Sequence, residues 1–357
     1  MSLIAHAETD GLHFHSALLL HPFEFKDALL YGPWPAKRVF EHFGLSPKLR
    51  AVLAGQCGDI GLGPREEPFF ALQAVLFGYC ESAHFPKKGM GHFVEAVTSS
   101  ILENQGTIFY DTAVTGLKRD GDRITCVQTT RGLFSASTVV SNIDPAVTLG
   151  MTERAKVPKY EQSSSCFTMF LGLDIDLAQR GFGRSNIWNY PSESLDASID
   201  RSASENLYDD PFFFLSTPSL YADPGALAPL GGTTVQINVP SSFDFFEAAN
   251  RNGTHAQEKA RVAEEILTAV ERRCLPEVKS HCVVHESWSP FDLARNVGLP
   301  RGGMYGARLD FENRVLRHVR AETQFENLFL VGATTGGLGL HGAAVAGTRL
   351  VTSLLGK

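Results

Sequence analysis

The stretch ENLFLVGATTGGLGLHGAAVAGTRLVTSLLGK, residues 326–357, decides the fold. An apolar strand at 327–331 runs into Gly332-Ala333-Thr334-Thr335, then Gly336, Gly337 and Gly339, and then a helix of small residues, Gly342, Ala343, Ala344, Ala346 and Gly347. A helix start stripped of side chains lets its backbone N–H groups and positive dipole end come close to an anionic or electron-rich ligand. The pattern therefore predicts a strand, a turn and a helix bordering a flat cofactor or a phosphate, with Gly332, Ala333, Thr334, Gly337, Gly339, Leu340, His341 and Gly342 along the border. Glycines that serve only close helix packing are the alternative. Gly337-x-Gly339-x-x-Gly342 satisfies GxGxxG literally. That fingerprint, however, needs a tight first turn and a second parallel strand with an acidic residue about 20 positions on, and fifteen residues follow Gly342. It is not read as a dinucleotide fingerprint.

Upstream, a helix-then-strands pattern occupies residues 84–145. Gly89-Met90-Gly91 opens an amphipathic helix, HFVEAVTSSILENQG, that is expected to end with Gly106 at C′. Three β-branched runs follow, TIFYDTAVTGLKRD, RITCVQTTRG and FSASTVVSN, separated by Asp120-Gly121-Asp122 and Arg131-Gly132. Asp-Gly between alternating apolar runs is a hairpin signal. From 163 to 240, CFTMFLGLDI, SNIWNYP, PFFFLSTPS and TTVQINVP alternate or run apolar between Pro and Gly, the pattern of an antiparallel sheet. The polar gap at 191–210 is expected to be a mobile loop, because it carries too little apolar surface to order itself. HAQEKARVAEEILTAVERRC predicts a long helix, and residues 24–56 and 66–79 predict further helices broken at Gly32-Pro33-Trp34-Pro35 and at the loop GDIGLGP.

The 357 residues suffice for one large or two medium domains. A hydrophobic share of 43% and 25 Phe predict a globular chain with a Phe-rich interior. A formal charge of −7, with no Lys/Arg run, disfavours nucleic-acid binding. The six cysteines are scattered with no CxxC, and the amino terminus shows no signal-peptide pattern, so they are expected to be reduced, mostly buried thiols of a cytoplasmic protein. No window reaches the roughly 18 apolar residues that span a bilayer. The apolar helix FFALQAVLFGY (69–79) is read as core, with contact to a membrane surface as the alternative.

Two segments carry a family resemblance. VGATTGGLGLHGAAVAG is similar to the closing flavin motif of the FAD-dependent phytoene desaturase, carotenoid isomerase and retinol saturase group, in which strand, turn and helix pass beside the cofactor. Residues 84–145 resemble the stretch of these families running from a Pro-x-Gly-Gly motif through a helix and β-meander back to the nucleotide-binding sheet. Lys88 stands where that motif has its first Gly, while Gly89, Met90 and Gly91 fit. KLRAVLAGQCGDIGLGP and the Ser289-Pro290 and Gly302–Gly306 stretches favour the retinol saturase side.

The resemblance implies an α/β protein. It pairs an incomplete FAD-binding domain of Rossmann-like, amine-oxidase type with an α+β substrate domain built on an antiparallel sheet with helices. The implied boundaries are 1–84 for a helical part of the substrate domain, 85–150 for a flavin-domain segment, 151–300 for the substrate domain and 301–357 for the closing flavin-domain segment. Val114 would meet the FAD adenine, and Ser141 and Asn142 would lie at the strand end that returns to the cofactor. The families begin with a βαβ unit carrying GxGxxG, which this sequence lacks. FAD retention by the chain alone is therefore expected to be weak or absent, and a separate chain supplying that unit is a candidate partner.

The implied substrate is a hydrophobic small molecule, an apolar polyene, with Phe69, Phe70, Phe212, Phe213 and Phe214 as tunnel candidates against the plainer reading of core. NAD(P) has no residue in its favour. A non-catalytic remnant that binds lipid or a partner, and one half of a split enzyme, remain open. No metal site is read: the histidines form no HExxH, and the pairs His13/His15 and His281/His285 lack convincing co-ligands. The catalytic residue is unknown, with His341 beside the glycine turn as proton-donor candidate or packing residue.

Overall fold

A computed structural model describes residues 26–81, 83–310, 312–313, 317–337 and 339–356. His13 and His15 lie outside them. The largest layer is a five-stranded antiparallel sheet formed by β5 (Ser165–Leu173), β6 (Ile187–Asn189), β7 (Phe213–Ser216), β8 (Thr233–Ser241) and β9 (Cys282–Trp288), in the order β6-β7-β8-β5-β9. Alternation dictates its two faces. Phe167, Met169, Leu171, Phe213, Leu215, Val235, Ile237 and Val239 point to one side and bury there against Phe246, Val262, Ile266 and Val270 of the helices Phe243–Arg251 and His255–Arg273. The other face carries Cys166, Thr168, Phe170, Phe214, Gln236 and Asn238 toward the functional region.

The second unit joins the two segments that resemble flavin-domain sequence. β1 (Val114–Asp120), β2 (Arg123–Thr129) and β3 (Gly132–Phe134) form an antiparallel meander, turned at Gly121-Asp122 with Gly121 at φ 55°. β4 (Val139–Ser141) leaves it to pair in parallel with β10 (Leu328–Leu330). Leu117, Ile124, Leu149, Phe325, Leu328 and Leu330 bury together beneath them. Asn327 fastens the joint: its side chain accepts from the Ile124 N–H at 2.8 Å and donates to the Ile124 and Ser137 carbonyls at 2.9 and 3.1 Å. Thus 85–150 and the closing segment, far apart in sequence, share a core.

Several expectations are corrected. The helix Met90–Glu103 ends in a Schellman motif whose left-handed C′ residue is Gln105, at φ 63°. Gly106 is the next residue, and its N–H reaches the Ile101 carbonyl at 2.8 Å. Glycine is needed there because a Cβ would stand 2.5 Å from Ile101 Cγ2. The gap at 191–210 is no mobile loop: it holds the helix Leu195–Ala203, with Ser194 as N-cap and Leu195, Ser198 and Ser202 buried. The Arg65 guanidinium grips Asp200 through two bonds of 2.6 and 2.9 Å, and the Arg65 N–H reaches Asp196 at 3.1 Å. Order comes here from capping, a bidentate ion pair and a few apolar anchors, Leu195 and Tyr208 being buried and Ile199 packed against the core. Of the six cysteines only Cys57 is buried, and Cys80 is exposed. No helix among the described residues is long and apolar enough to cross a membrane.

Candidate functional site

The parallel strands end side by side. Ser141 lies opposite Leu330, and the Val331 N–H donates to the Ser141 carbonyl at 2.9 Å. One residue further, a Cβ on Gly332, whose φ is 107°, would stand 2.4 Å from Asn142 Oδ1. Ser141, Asn142, Gly332, Ala333 and Thr334 are thereby gathered at the carboxyl ends of two parallel strands, where open α/β sheets place ligands. Asn142 is exposed. The turn itself is tied down: Thr334 is buried and its Oγ1 accepts from the Ala307 N–H at 3.1 Å, while the Thr335 hydroxyl donates to the Gly332 carbonyl at 3.2 Å.

The glycines divide into two groups. A Cβ on Gly342 would lie 2.3 Å from the Gly337 carbonyl carbon, and one on Gly336 would lie 2.4 Å from Ala346 Cβ. Their lack of a side chain is required by the turn folding onto its own helix, Gly339–Leu354. Gly339, at φ 64°, has nothing within 4 Å of its missing Cβ and is exposed with Leu340 and His341 on the first turn of that helix. Gly89, at φ 82°, is buried, and the nearest atoms to its missing Cβ belong to Leu227, the closest at 2.6 Å. Met90 and Gly91 are exposed, and Val114 opens β1 opposite Thr129. So Gly89 is seated on a loop of the unit built on the five-stranded sheet, where the Asp223 N–H also donates to the Lys87 carbonyl at 2.6 Å.

The glycine turn packs against the wall of an aromatic cavity. Gly306, at φ 69°, packs so tightly on Thr334 that a Cβ would meet its Oγ1 at 2.2 Å. The preceding residues, Met304 and Tyr305, wall a cavity of about 120 Å³ with Trp188, Phe212, Phe214, Cys166, Asn238 and Asp59. Trp188 stacks on Phe212 at 5.7 Å and 5°, and Tyr190 stacks on Phe212 at 4.8 Å. Gly58 sits beneath this stack, since a Cβ there would lie 2.3 Å from Trp188. Of the Phe residues proposed as tunnel, Phe212 and Phe214 border the cavity, whereas Phe213 is core and Phe70 is 48% exposed.

Sequence reasoning missed the acidic pair behind this wall. Glu67 is 0% exposed, and neither of its carboxyl oxygens has a hydrogen-bond partner among the described residues. Asp59 Oδ2 and Gln56 Oε1 are likewise unpartnered. Burial, with the charge of Asp59 as a smaller contribution, pushes the Glu67 carboxyl up to about 8. Burial pushes Asp59 up to about 6 against the opposing hydrogen bond with Tyr79. Burial above all, then the charge of Glu67, also raises the Cys57 thiol, which stays protonated. No motif joins Asp59 to Glu67. The one signal in the sequence is a Gly/Pro-punctuated loop that brackets two acids beside aromatic runs.

A second polar cluster has no such chemistry. His255 Nε2 lies 2.9 Å from Ser289 Oγ, and Ser289 Oγ donates to Asp292 at 3.0 Å. A nucleophile needs histidine between serine and acid; here serine is in the middle, fully buried, as the N-cap of a capping box on the helix Pro290–Val297. No group of three or more His, Cys, Asp or Glu among the described residues could hold a metal.

The five-stranded antiparallel sheet thus stands with a parallel strand pair that ends in a glycine turn, a mixed arrangement of the flavoprotein oxidoreductase kind. The family model for flavin-containing amine oxidoreductases matches residues 36–355, and the chain belongs to that family. Among curated relatives, it is 27% identical over 301 residues to a 4,4'-diapolycopene oxygenase of Methylomonas sp, covering 81% of this chain and 58% of that protein. It is 23% identical over 318 residues to an all-trans-retinol 13,14-reductase of Danio rerio, covering 80% and 51%. The chain thus spans little more than half the length of these relatives. Among solved structures, an oxidoreductase from Methanosarcina mazei superposes with TM-score 0.57 at 15% identity over 86% of this chain and 64% of that one. A putrescine oxidase variant superposes with TM-score 0.56 at 14% identity over 93% and 70%. At such identities these two likenesses speak for the fold alone.

Proposed function

We propose that this chain is the substrate-binding and closing part of an FAD-dependent oxidoreductase acting on an apolar polyene of the carotenoid or retinoid kind. One observation carries the reading: the glycine turn at the strand ends packs, through Gly306 on Thr334, directly against the segment whose Met304 and Tyr305 wall an aromatic cavity. A strand-end turn suited to a flat cofactor and a pocket suited to conjugated hydrocarbon would therefore adjoin. The names of the curated relatives, a diapolycopene oxygenase and a retinol reductase, point the same way.

The residues present fit the cofactor in part. Asn142 and Ala333 at the strand ends and Gly339, Leu340 and His341 on the first turn of the closing helix would offer surface to it, and Ser141, Gly332, Thr334, Gly337 and Gly342 set the shape of the turn. Met90, Gly91 and Val114 would complete the border from the other segment, whereas Gly89 is taken up by its contact with Leu227. When bound, the flavin supplies a two-electron acceptor or donor for hydride. The chain's own residues would orient the polyene by stacking on Trp188, Phe212 and Phe214 and exclude water around it.

β4 pairs with β10 along one edge, and a βαβ unit bearing GxGxxG, from the same longer protein or a separate chain, would bring the phosphate-binding turn. Polyenes partition into lipid, so a cytoplasmic protein touching a membrane surface belongs to the same reading. The test is a flavin spectrum after gel filtration. The chain alone is expected to come through nearly colourless, and the chain mixed with or fused to such a βαβ unit is expected to carry one FAD. A colourless, folded assembly would favour the non-catalytic alternative.

A further inference from the structure

The sheet face turned away from the helices forms a continuous floor. Cys166 lies opposite Pro240, Thr168 opposite Asn238, Phe170 opposite Gln236 and Gly172 opposite Thr234. Residues two apart on a strand share a face, so these pairs make one row, roughly 20 Å long at about 3.3 Å per residue. Its inner end, at Cys166, Asn238 and Pro240, is the aromatic cavity with Asp59. Its outer end, at Phe170, Gly172, Thr234 and Gln236, is a groove of about 690 Å³ bordered by Leu227, Leu230 and Val284. The groove is open and apolar, with Leu230 83% and Val284 61% exposed. At about 120 Å³ the inner cavity has room for the end of a chain and not for its length.

We propose that the two cavities are the ends of one channel for a linear apolar molecule with an oxygenated end. The hydroxyl or carbonyl is held in the aromatic cavity against Asp59, with Glu67 behind it, and the hydrocarbon lies along the floor to the Phe170 groove. The unpartnered Asp59 Oδ2 carries the argument, because Asp59 walls the cavity and a buried carboxyl oxygen without a hydrogen bond is costly, a cost that an oxygenated chain end in the cavity offsets. Asp59 accepts from an alcohol in either protonation state and, below about pH 6 where it keeps its proton, also donates to an aldehyde carbonyl. A bare hydrocarbon leaves Asp59 Oδ2 as it is and gains only the floor. The inference rests on the polyene reading and narrows it to polyene alcohols and aldehydes.

Binding to the full chain without added flavin tests it, read by quenching of tryptophan emission, since Trp188 walls the cavity. The probes are all-trans-retinol, all-trans-retinal and the same hydrocarbon lacking oxygen. Below about pH 6 the alcohol and aldehyde are expected to bind at least about tenfold more tightly than the hydrocarbon. Asp59→Leu should remove that preference. Val284→Arg, at the exposed outer end, should weaken all three probes and leave the preference intact. Equal affinity for alcohol and hydrocarbon, no binding of any probe, or a preference that survives Asp59→Leu would overturn the channel. A protein that keeps the preference but never takes up flavin refutes the redox reading alone, and one that takes up flavin without the preference refutes the channel alone.

Discussion

Replacing Glu67 by glutamine is expected to make the protein more stable than the parent at pH 8, by about 2 kcal/mol, and no more stable near pH 4.5. Burial raises the folded-state Glu67 carboxyl from an ordinary 4.5 to about 8. Between those values the folded protein holds a proton that the unfolded chain releases. The favourable contribution is therefore complete below 4.5 and is lost as pH rises toward 8, a decline on the order of 4 kcal/mol for a fully buried carboxyl. Glutamine removes the titration but leaves a buried amide without a partner, which reduces the net gain. Urea unfolding midpoints across this pH range check the expectation. Parallel slopes for parent and variant would mean that Glu67 already has a partner for its charge.

The other large effect is expected at Gly306. Alanine there must adopt φ 69° and place its Cβ 2.2 Å from Thr334 Oγ1 and 3.0 Å from the Thr334 nitrogen. Left-handed backbone costs a non-glycine residue roughly 1–2 kcal/mol and overpacking about 1–3 kcal/mol more, so the variant should lose about 3 kcal/mol. Gly225 is the control, because its φ is 81° and nothing lies within 4 Å of its missing Cβ. Gly225→Ala should show the backbone cost alone. Equal losses for the two variants in denaturant titration would show that the cavity wall and the glycine turn are not packed together as described.

The fold was legible where burial follows a period. β5, β7 and β8 alternate and were predicted close to their observed bounds, because each has one face on the helices and one on the cavity. β9 was missed because four consecutive residues, 283–286, are exposed at the sheet edge, which erases the pattern. The helix Leu195–Ala203 was missed because Ser198 and Ser202, its buried positions beside Leu195, are small and polar. At the candidate site, the pairing of the Ser141 strand with the Gly332 strand is the adjacency that the two resembling segments implied. The cavity is another matter. Asp59, Trp188, Phe212, Asn238 and Tyr305 come from five separate stretches, and each reads alone as loop, strand or core. Glu67 reads as an ordinary acid next to Glu66, and it is folded inward where the bridge between Pro35 and Pro68 and the Ala36 N–H, donated to the Glu67 carbonyl at 2.9 Å, close its loop.

The central claim is that crevice and cavity serve one redox reaction on a polyene. Anaerobic absorbance spectroscopy of the FAD-loaded assembly, titrated in both redox states with a polyene alcohol and separately with an aliphatic diamine, tests it most directly. The account predicts that polyene and flavin absorbance change together in equal amounts in one redox state, and that the diamine does nothing. Flavin that is reduced by the diamine and indifferent to the polyene in both states would contradict it.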